Sequence, residues 1–200
     1  NSQGIVGALS GITTSVFQNA EGTQVRARNT AVTNSGTIEG RSGSGVALAG
    51  GGSVVNSGVI GGLNGNSGSG TGVVLSEFTQ SIATDVTGIG SVTNAPGGLI
   101  EGEMFGVVVQ GGGTVDNAGI IRSTGTFNPA NPNVSPFGVI LGATPDQTGR
   151  TGTLNNSGTV QGFLGVLAGG ALDSAVIENE GLISGHAPAI IGQSTGVVSI

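Results

Sequence analysis

The sequence predicts an all-β protein, specifically a right-handed parallel β-helix (solenoid) of six to eight rungs, each of about 22 to 23 residues. Three observations predict this fold. A motif of an apolar residue, Asn, Gly and then Ile or Val at alternate positions recurs six times. Short runs with a period of two residues follow each copy, and glycine-rich corners separate the runs. No segment has the 3.6-residue period of an amphipathic helix.

The composition favours a narrow aliphatic core over a compact globular one. The 200 residues include 42 Gly, and only 3% are aromatic, with no Trp or Tyr. Globular cores usually draw much of their buried area from aromatic rings, whereas a thin solenoid can be filled with Val, Ile, Leu and Ala. Because 36% of the residues are hydrophobic, the chain is not a disordered low-complexity segment. We expect one domain over residues 1–200.

The repeated motif places an asparagine at the same position of every copy. The Asn-to-Asn spacings are 22, 38, 23, 39 and 23, so about sixteen positions are inserted in every second copy. Period-2 geometry directs the Val, Asn, Gly and Ile of the motif to one side. We therefore predict a ladder of stacked side-chain amides at one corner of the rod. Its members are Asn34, Asn56, Asn94, Asn117, Asn156 and Asn179. A degenerate copy is expected from Phe17 to Val25.

A second element follows each copy of the motif, usually a Gly and then two apolar residues spaced by two. We expect these pairs to point into the rod as part of its core. The pairs are Val46 with Leu48, Val73 with Leu75, Val107 with Val109, Val139 with Leu141, Val166 with Ala168, and Ala189 with Ile191.

The insertions are the predicted sites of interaction, because loops added to one side of a rod usually carry its function. Residues 63–71 and 123–137 fall at one corner, and residues 76–90 and 142–152 fall at the other. The insertions contain Phe78, Phe127 and Phe137, and a Phe in a polar loop can anchor a partner. The alternative is that each ring folds back to cover the flank of the rod.

Charge and residue usage exclude several classes of function. The net charge of −6, with five cations that are all Arg, argues against nucleic-acid binding. Without Cys there is no thiolate metal site, and the single His186 cannot make a zinc site alone. No apolar run is long enough to span a membrane. We therefore expect no cofactor, no metal and no membrane insertion of this segment.

The acidic residues do not form a pattern typical of catalysis. Glu39 and Glu101 follow the strand-ending Ile of rungs two apart, on a column that continues with Arg122. Glu101 and Glu103 could share a face, but the sequence shows no Arg or Lys partner for them. Glycosidases need a closely spaced pair of carboxylates. We expect no catalytic residue; a polysaccharide-active β-helix enzyme stays open as an alternative, with Glu101 as the first residue to change.

The pattern Val-x-Asn-Ser-Gly-x-Ile-x-Gly, followed by Gly-Val-x-Leu-x-Gly-Gly, resembles the passenger domains of bacterial autotransporters (type V secretion). The resemblance covers about residues 16–200. It implies export to the extracellular face of a bacterial cell, and passengers on such rods include adhesins, proteases, esterases and toxins. Large filamentous haemagglutinins and phage tailspikes share the rod type.

The expected function is a structural and adhesive rod. Its expected partner is a protein or glycan on a host or neighbouring cell. The chain begins without an initiator Met and ends in a strand-like run, so we interpret it as a piece of a longer rod. A self-assembling extracellular filament, formed by rod ends that stack on each other, is the second hypothesis, since open strand edges invite pairing.

Overall fold

A computed structural model describes most of the chain as stacked β-strands. The described residues are 5–7, 12–14, 16–18, 24–26, 30–49, 51–63, 70–76, 90–127, 129, 135–143, 150–170, 174–194 and 197–199. Within these ranges every regular element is a strand. Three seven-stranded sheets account for nearly all of the strands, and every pair of strands within the three is parallel. The predicted parallel β-helix is confirmed.

Each sheet forms one face of the solenoid. Sheet 1 carries the Asn motif and consists of Thr30–Asn34, Gly52–Asn56, Gly90–Asn94, Gly113–Asn117, Thr151–Asn156, Ser174–Asn179 and Val197–Ser199. Sheet 2 consists of Ile5–Gly7, Thr37–Gly40, Val59–Gly62, Leu99–Gly102, Ile120–Ser123, Thr159–Gly162 and Leu182–Gly185. Sheet 3 consists of Ile12–Thr14, Val46–Ala49, Thr71–Ser76, Phe105–Gln110, Phe137–Ala143, Leu164–Gly170 and Ile190–Ser194.

The chain visits the three sheets in the same order in every rung. It passes from sheet 1 to sheet 2 to sheet 3, and then returns to sheet 1 beside the strand it left. Asn34 pairs with Asn56 across a rung of the basic length, and Asn56 pairs with Asn94 across a rung that carries insertions. The register is therefore the same with and without an insertion.

Aliphatic side chains fill the interior. Val54, Ile60 and Val73 of one rung contribute one residue each from sheets 1, 2 and 3, and all three are 0% exposed. Their partners in the next rung are also aliphatic: Val92, Ile100 and Val107. Burial of a side chain of this size stabilises the fold by about 1.5–3 kcal/mol. The repetition of small aliphatic groups explains why the chain needs so few aromatic residues.

Glycine is required where the backbones of successive rungs approach each other most closely. A Cβ on Gly119 would lie 2.3 Å from the carbonyl oxygen of Gly98 in the rung below, and one on Gly106 would lie 2.6 Å from that of Gly138 in the rung above. Parallel strands are only about 4.8 Å apart, so no side chain fits between such backbones. The recurring Gly of the motif is thus a consequence of stacking.

Two sequence predictions are wrong in detail. The segment expected to hold a degenerate Asn motif forms an antiparallel pair, in which Phe17 lies opposite Val25. A copy of the motif would pair in parallel with the strands of neighbouring rungs, whereas Val16–Gln18 and Gln24–Arg26 pair with each other in a separate two-stranded sheet.

The second error is a shift of one residue in the last rung. The partner of Val166 is Ile190, and Ala168 pairs with Gly192, so Ala189 and Ile191 are not the inward pair. Ile190 packs against the core instead. A one-residue shift exchanges the two faces of a strand, so Ile190 and Gly192 take the inward positions, in the register in which Val166 N donates to Ala189 O at 2.8 Å.

Candidate functional site

The predicted asparagine ladder is present and runs along one corner of the rod. Five of the six Nδ2 groups, all but that of Asn179, donate to the Oδ1 atom of the Asn in the next rung, at 2.7 to 2.9 Å. Nδ2 of Asn94 also lies 3.1 Å from the carbonyl oxygens of Gly98 and Ile120. The ladder therefore joins the turn of its own rung to the next rung as well.

The burial of the ladder argues that it stabilises the fold and does not bind a ligand. Asn56 and Asn94 are 0% exposed, and Asn117 and Asn156 are 2% exposed. A buried amide is costly unless its hydrogen bonds are made, and here the neighbouring rungs supply them. Almost no surface of these four side chains is left for a partner.

The polar column of sheet 2 contains an ion pair that was not predicted. Arg122 and Glu101 occupy adjacent rungs, and the Nη2 and Nε atoms of Arg122 lie 2.7 and 2.9 Å from Oε2 of Glu101. The expectation that Glu101 lacks an evident cationic partner was thus wrong. The two residues are distant in sequence, but the period of the repeat places them side by side.

The other carboxylate considered for catalysis is also close to an arginine. Oε1 of Glu39 lies 3.3 Å from Nε of Arg41 at the corner of its own rung. Gly61 separates Glu39 from Glu101 on the column. The structure therefore brings each of these two carboxylates to a guanidinium, and does not place one directly beside the other.

All four insertions border sheet 3. Residues 63–70 and 124–136 connect sheet 2 to sheet 3 in the second and fourth rungs, and the insertions that follow Ser76 and Ala143 connect sheet 3 back to sheet 1.

Phe78 lies outside the described residues. Phe137 is the first residue of a sheet 3 strand, where its ring centroid is 6.4 Å from that of Phe105.

Phe127 folds back onto the rod. Its ring stacks on Phe163, with centroids 4.9 Å apart and planes inclined by 12°. Phe163 in turn stacks on His186, with a centroid distance of 6.3 Å and an angle of 25°. The three rings come from the corners of three successive rungs, so they form one aromatic row parallel to the axis of stacking. We call Phe127, Phe163 and His186 the ring row.

An open groove of about 630 Å³ lies along the ring row. Its walls combine the three rings with a guanidinium, an amide and hydroxyl groups. Besides the ring row, the lining residues are Arg122, Ser123, Thr124, Gly125, Thr126, Gln161 and Gly162. We call this feature the corner groove, and it is the candidate binding site.

Sequence reasoning identified only part of the corner groove. Phe127 was proposed because it lies in an insertion, but Phe163 and His186 were not connected with it. A signal was available: Phe163 directly follows the last residue of the sheet 2 strand Thr159–Gly162, and His186 directly follows Leu182–Gly185. Equivalent positions of adjacent rungs stack, so two rings at this position must be neighbours.

A second groove, of about 560 Å³, lies on the outer side of sheet 1. Asp116, Glu178 and Glu180 line it, and Nδ2 of Asn155 donates to Oδ1 of Asp116 at 2.7 Å. Among the residues that the structure describes, no group of three or more His, Cys, Asp or Glu is arranged to hold a metal ion.

In the described part of the chain, no helix has the length and apolar character needed to cross a membrane. In comparisons with known proteins, no family model, no curated protein and no solved structure matches the chain.

Proposed function

We propose that this chain is a non-catalytic adhesive rod, exported to a bacterial cell surface in the manner of an autotransporter passenger, which binds a partner on another cell through the corner groove. The stacked rungs would act as a rigid spacer, and the insertion at residues 124–136 would provide the contact. The export route in this proposal rests on the resemblance of the repeat alone.

The observation that carries the proposal is the packing of an insertion residue on the rod. Phe127 and Phe163 come from different rungs, and both remain partly exposed. The main chain holds both ends of the insertion, because Thr124 N donates to Gly102 O at 2.9 Å and Leu164 N donates to Pro136 O at 3.0 Å. A site built on a rigid scaffold in this way is organised before its partner arrives, which lowers the entropic cost of binding.

The polar column of sheet 2 favours binding over catalysis. The carboxylates of Glu39 and Glu101 each have an Arg neighbour within 3.3 Å. The rod interior beneath them is filled by side chains such as Ile38 and Ile100, which are 3% and 0% exposed. A substrate would therefore have to react on an open, solvated surface, where the electrostatic stabilisation of a transition state is weak.

The decisive experiment is an attachment assay with purified protein fixed to beads and presented to host epithelial cells and to bacterial cells. In the test variant, residues 124–136 are replaced by the two residues that connect the same sheets one rung earlier, Glu103 and Met104. In the control variant, residues 63–70, which connect the same two sheets in the second rung, are replaced in the same way.

We expect the original chain and the control variant to attach equally, and the test variant to lose attachment. The function proposed is wrong if the original chain attaches to neither kind of cell, or if replacement of residues 124–136 leaves attachment unchanged while far-UV circular dichroism shows the same β structure.

A further inference from the structure

We propose that the ligand of the corner groove is a neutral saccharide, one of whose pyranose rings packs its C–H face against Phe127 and Phe163. This inference rests on the proposed adhesive function and names the chemical class of its partner. It follows from the rings, the polar groups, the paired strands and the charge of the groove.

The rings are offset, so that part of their faces stays available. Their centroids are 4.9 Å apart, whereas carbon atoms in direct contact are about 3.5–4.0 Å apart. A nearly parallel pair at the larger separation is slipped sideways, and both residues remain partly exposed. An aromatic face carries partial negative charge, and the C–H groups on one side of a pyranose are weakly positive and apolar. Such a face is a complementary surface for the rings.

The polar groups around the rings suit hydroxyl partners. Gln161 offers an amide that both donates and accepts, Thr126 offers a hydroxyl that does the same, and Arg122 offers guanidinium N–H donors. A sugar hydroxyl also donates and accepts, so it can pair with each of these groups. Binding sites of this kind combine an apolar platform with a few polar groups that fix orientation.

An extended peptide fits the corner groove less well, because recognition of its main chain requires an unpaired strand edge. The sheet 2 strands beside the groove, Ile120–Ser123 and Thr159–Gly162, are each paired on both sides. So are the sheet 3 strands that follow them, Phe137–Ala143 and Leu164–Gly170. The groove therefore presents side chains, which is how a saccharide is recognised.

The charges favour a neutral saccharide over an acidic one. Among the described residues that line the groove none is a carboxylate, and Arg122 is balanced by Glu101 at 2.7 Å. The whole chain carries a net charge of −6, so a polyanionic glycan is repelled at long range. The locally neutral groove has no unbalanced cation to overcome that repulsion.

Saturation-transfer-difference NMR tests the proposal with five probes: lactose, cellohexaose, maltohexaose, mannotriose and trigalacturonate. Two variants change the Phe163 side chain and leave the rest of the chain unchanged. Phe163→Leu keeps an apolar side chain but removes the ring, and Phe163→Trp keeps an aromatic face. Phe105→Leu is the control, because Phe105 belongs to another ring pair and does not line the groove. Far-UV circular dichroism checks that every variant keeps its β structure.

We expect at least one neutral probe to receive saturation on its ring C–H protons, and trigalacturonate to receive none. Phe163→Leu should weaken binding of that neutral probe at least tenfold, whereas Phe163→Trp and Phe105→Leu should stay within threefold. The saccharide proposal is overturned if no neutral probe binds, if trigalacturonate binds most strongly, or if Phe163→Leu binds as well as the original chain.

Attachment to cells whose surface glycans have been oxidised with periodate separates this inference from the adhesive function. Loss of attachment after oxidation supports the saccharide. Undiminished attachment to oxidised cells overturns the saccharide and leaves the adhesive rod in place, whereas a chain that attaches to no cells contradicts the function itself.

Discussion

The Nδ2 atom of Asn94 lies 2.8 Å from the Oδ1 atom of Asn117, although the two residues are far apart in sequence. Both side chains are almost completely buried. The bond therefore satisfies polar groups that have no access to water, and it holds adjacent rungs in one register. A slip of one residue would turn the interior Val and Ile outward together with the Asn, so the aliphatic core and the amide bond would both be lost, and both losses oppose the slip.

The interior of the ladder should be sensitive to substitution. We expect Asn117→Ala to lower the free energy of unfolding by about 2–4 kcal/mol, because Nδ2 of Asn94 loses its acceptor and Oδ1 of Asn156 loses its donor. Asn179 is exposed, so water can replace the acceptor that Asn156 Nδ2 loses, and Asn179→Ala should cost about 1 kcal/mol or less. Urea unfolding followed by circular dichroism measures both, and equal losses would show that burial does not decide the effect.

The glycine of the motif should not tolerate a methyl group. A Cβ on Gly119 would lie 2.3 Å from Gly98 O, whereas a Cβ on Gly61 has no atom within 4 Å. We expect Gly119→Ala to cost about 3 kcal/mol or more through displacement of the backbone. Gly61→Ala should be neutral or stabilising by up to about 1 kcal/mol, since it removes freedom from the unfolded chain. Thermal midpoints of the two variants in one buffer give the comparison, and a Gly119→Ala variant as stable as Gly61→Ala contradicts the close stacking.

Ser123 departs from the repeat, and this departure affects the stability of the fold. It pairs with Gly102 in the neighbouring rung, and its Oγ atom is buried without a hydrogen-bond partner among the described residues. A buried unpaired hydroxyl costs about 1–3 kcal/mol. We therefore expect Ser123→Ala to raise the free energy of unfolding by about 1 kcal/mol, as measured in urea. Ser157→Ala is the control, because the Ser157 Oγ lies 3.4 Å from Asn117 O at an exposed corner, and it should not stabilise.

The architecture could be predicted from the sequence because the same residue types recur at positions that stacking brings together. Asn34, Asn56 and Asn94 mark one register, and an insertion between two of them leaves that register intact. The prediction failed where the repeat is weak. Ala189, Ile190 and Ile191 form a continuous apolar run, which alternation alone cannot assign to the inner or outer face.

The corner groove was only partly predictable. Phe127 stood out as an aromatic residue in a polar insertion, but its position on Phe163 depends on how the insertion folds back, and no periodicity encodes that. The pairing of Arg122 with Glu101 was implied by the column they share in adjacent rungs. Contacts that the period creates could therefore be read from the sequence, whereas contacts that an insertion makes could not.

The central claim, that successive rungs keep one register across the insertions, is tested most directly by engineered disulfides, because the chain has no Cys. Val55 and Thr93 lie side by side on sheet 1, although residues 63–71 and 76–90 come between them. A disulfide requires Cα atoms about 4.4–6.8 Å apart, and adjacent strands meet that requirement. Thr33 and Thr93 lie two rungs apart, at about 10 Å.

Mass spectrometry after mild oxidation, with thiol counting, gives the result. We expect the Val55→Cys, Thr93→Cys variant to form its intramolecular disulfide nearly completely, and the Thr33→Cys, Thr93→Cys variant to keep both thiols free. Free thiols in the first variant, or a disulfide in the second, would contradict the stacking on which the corner groove and its proposed ligand depend.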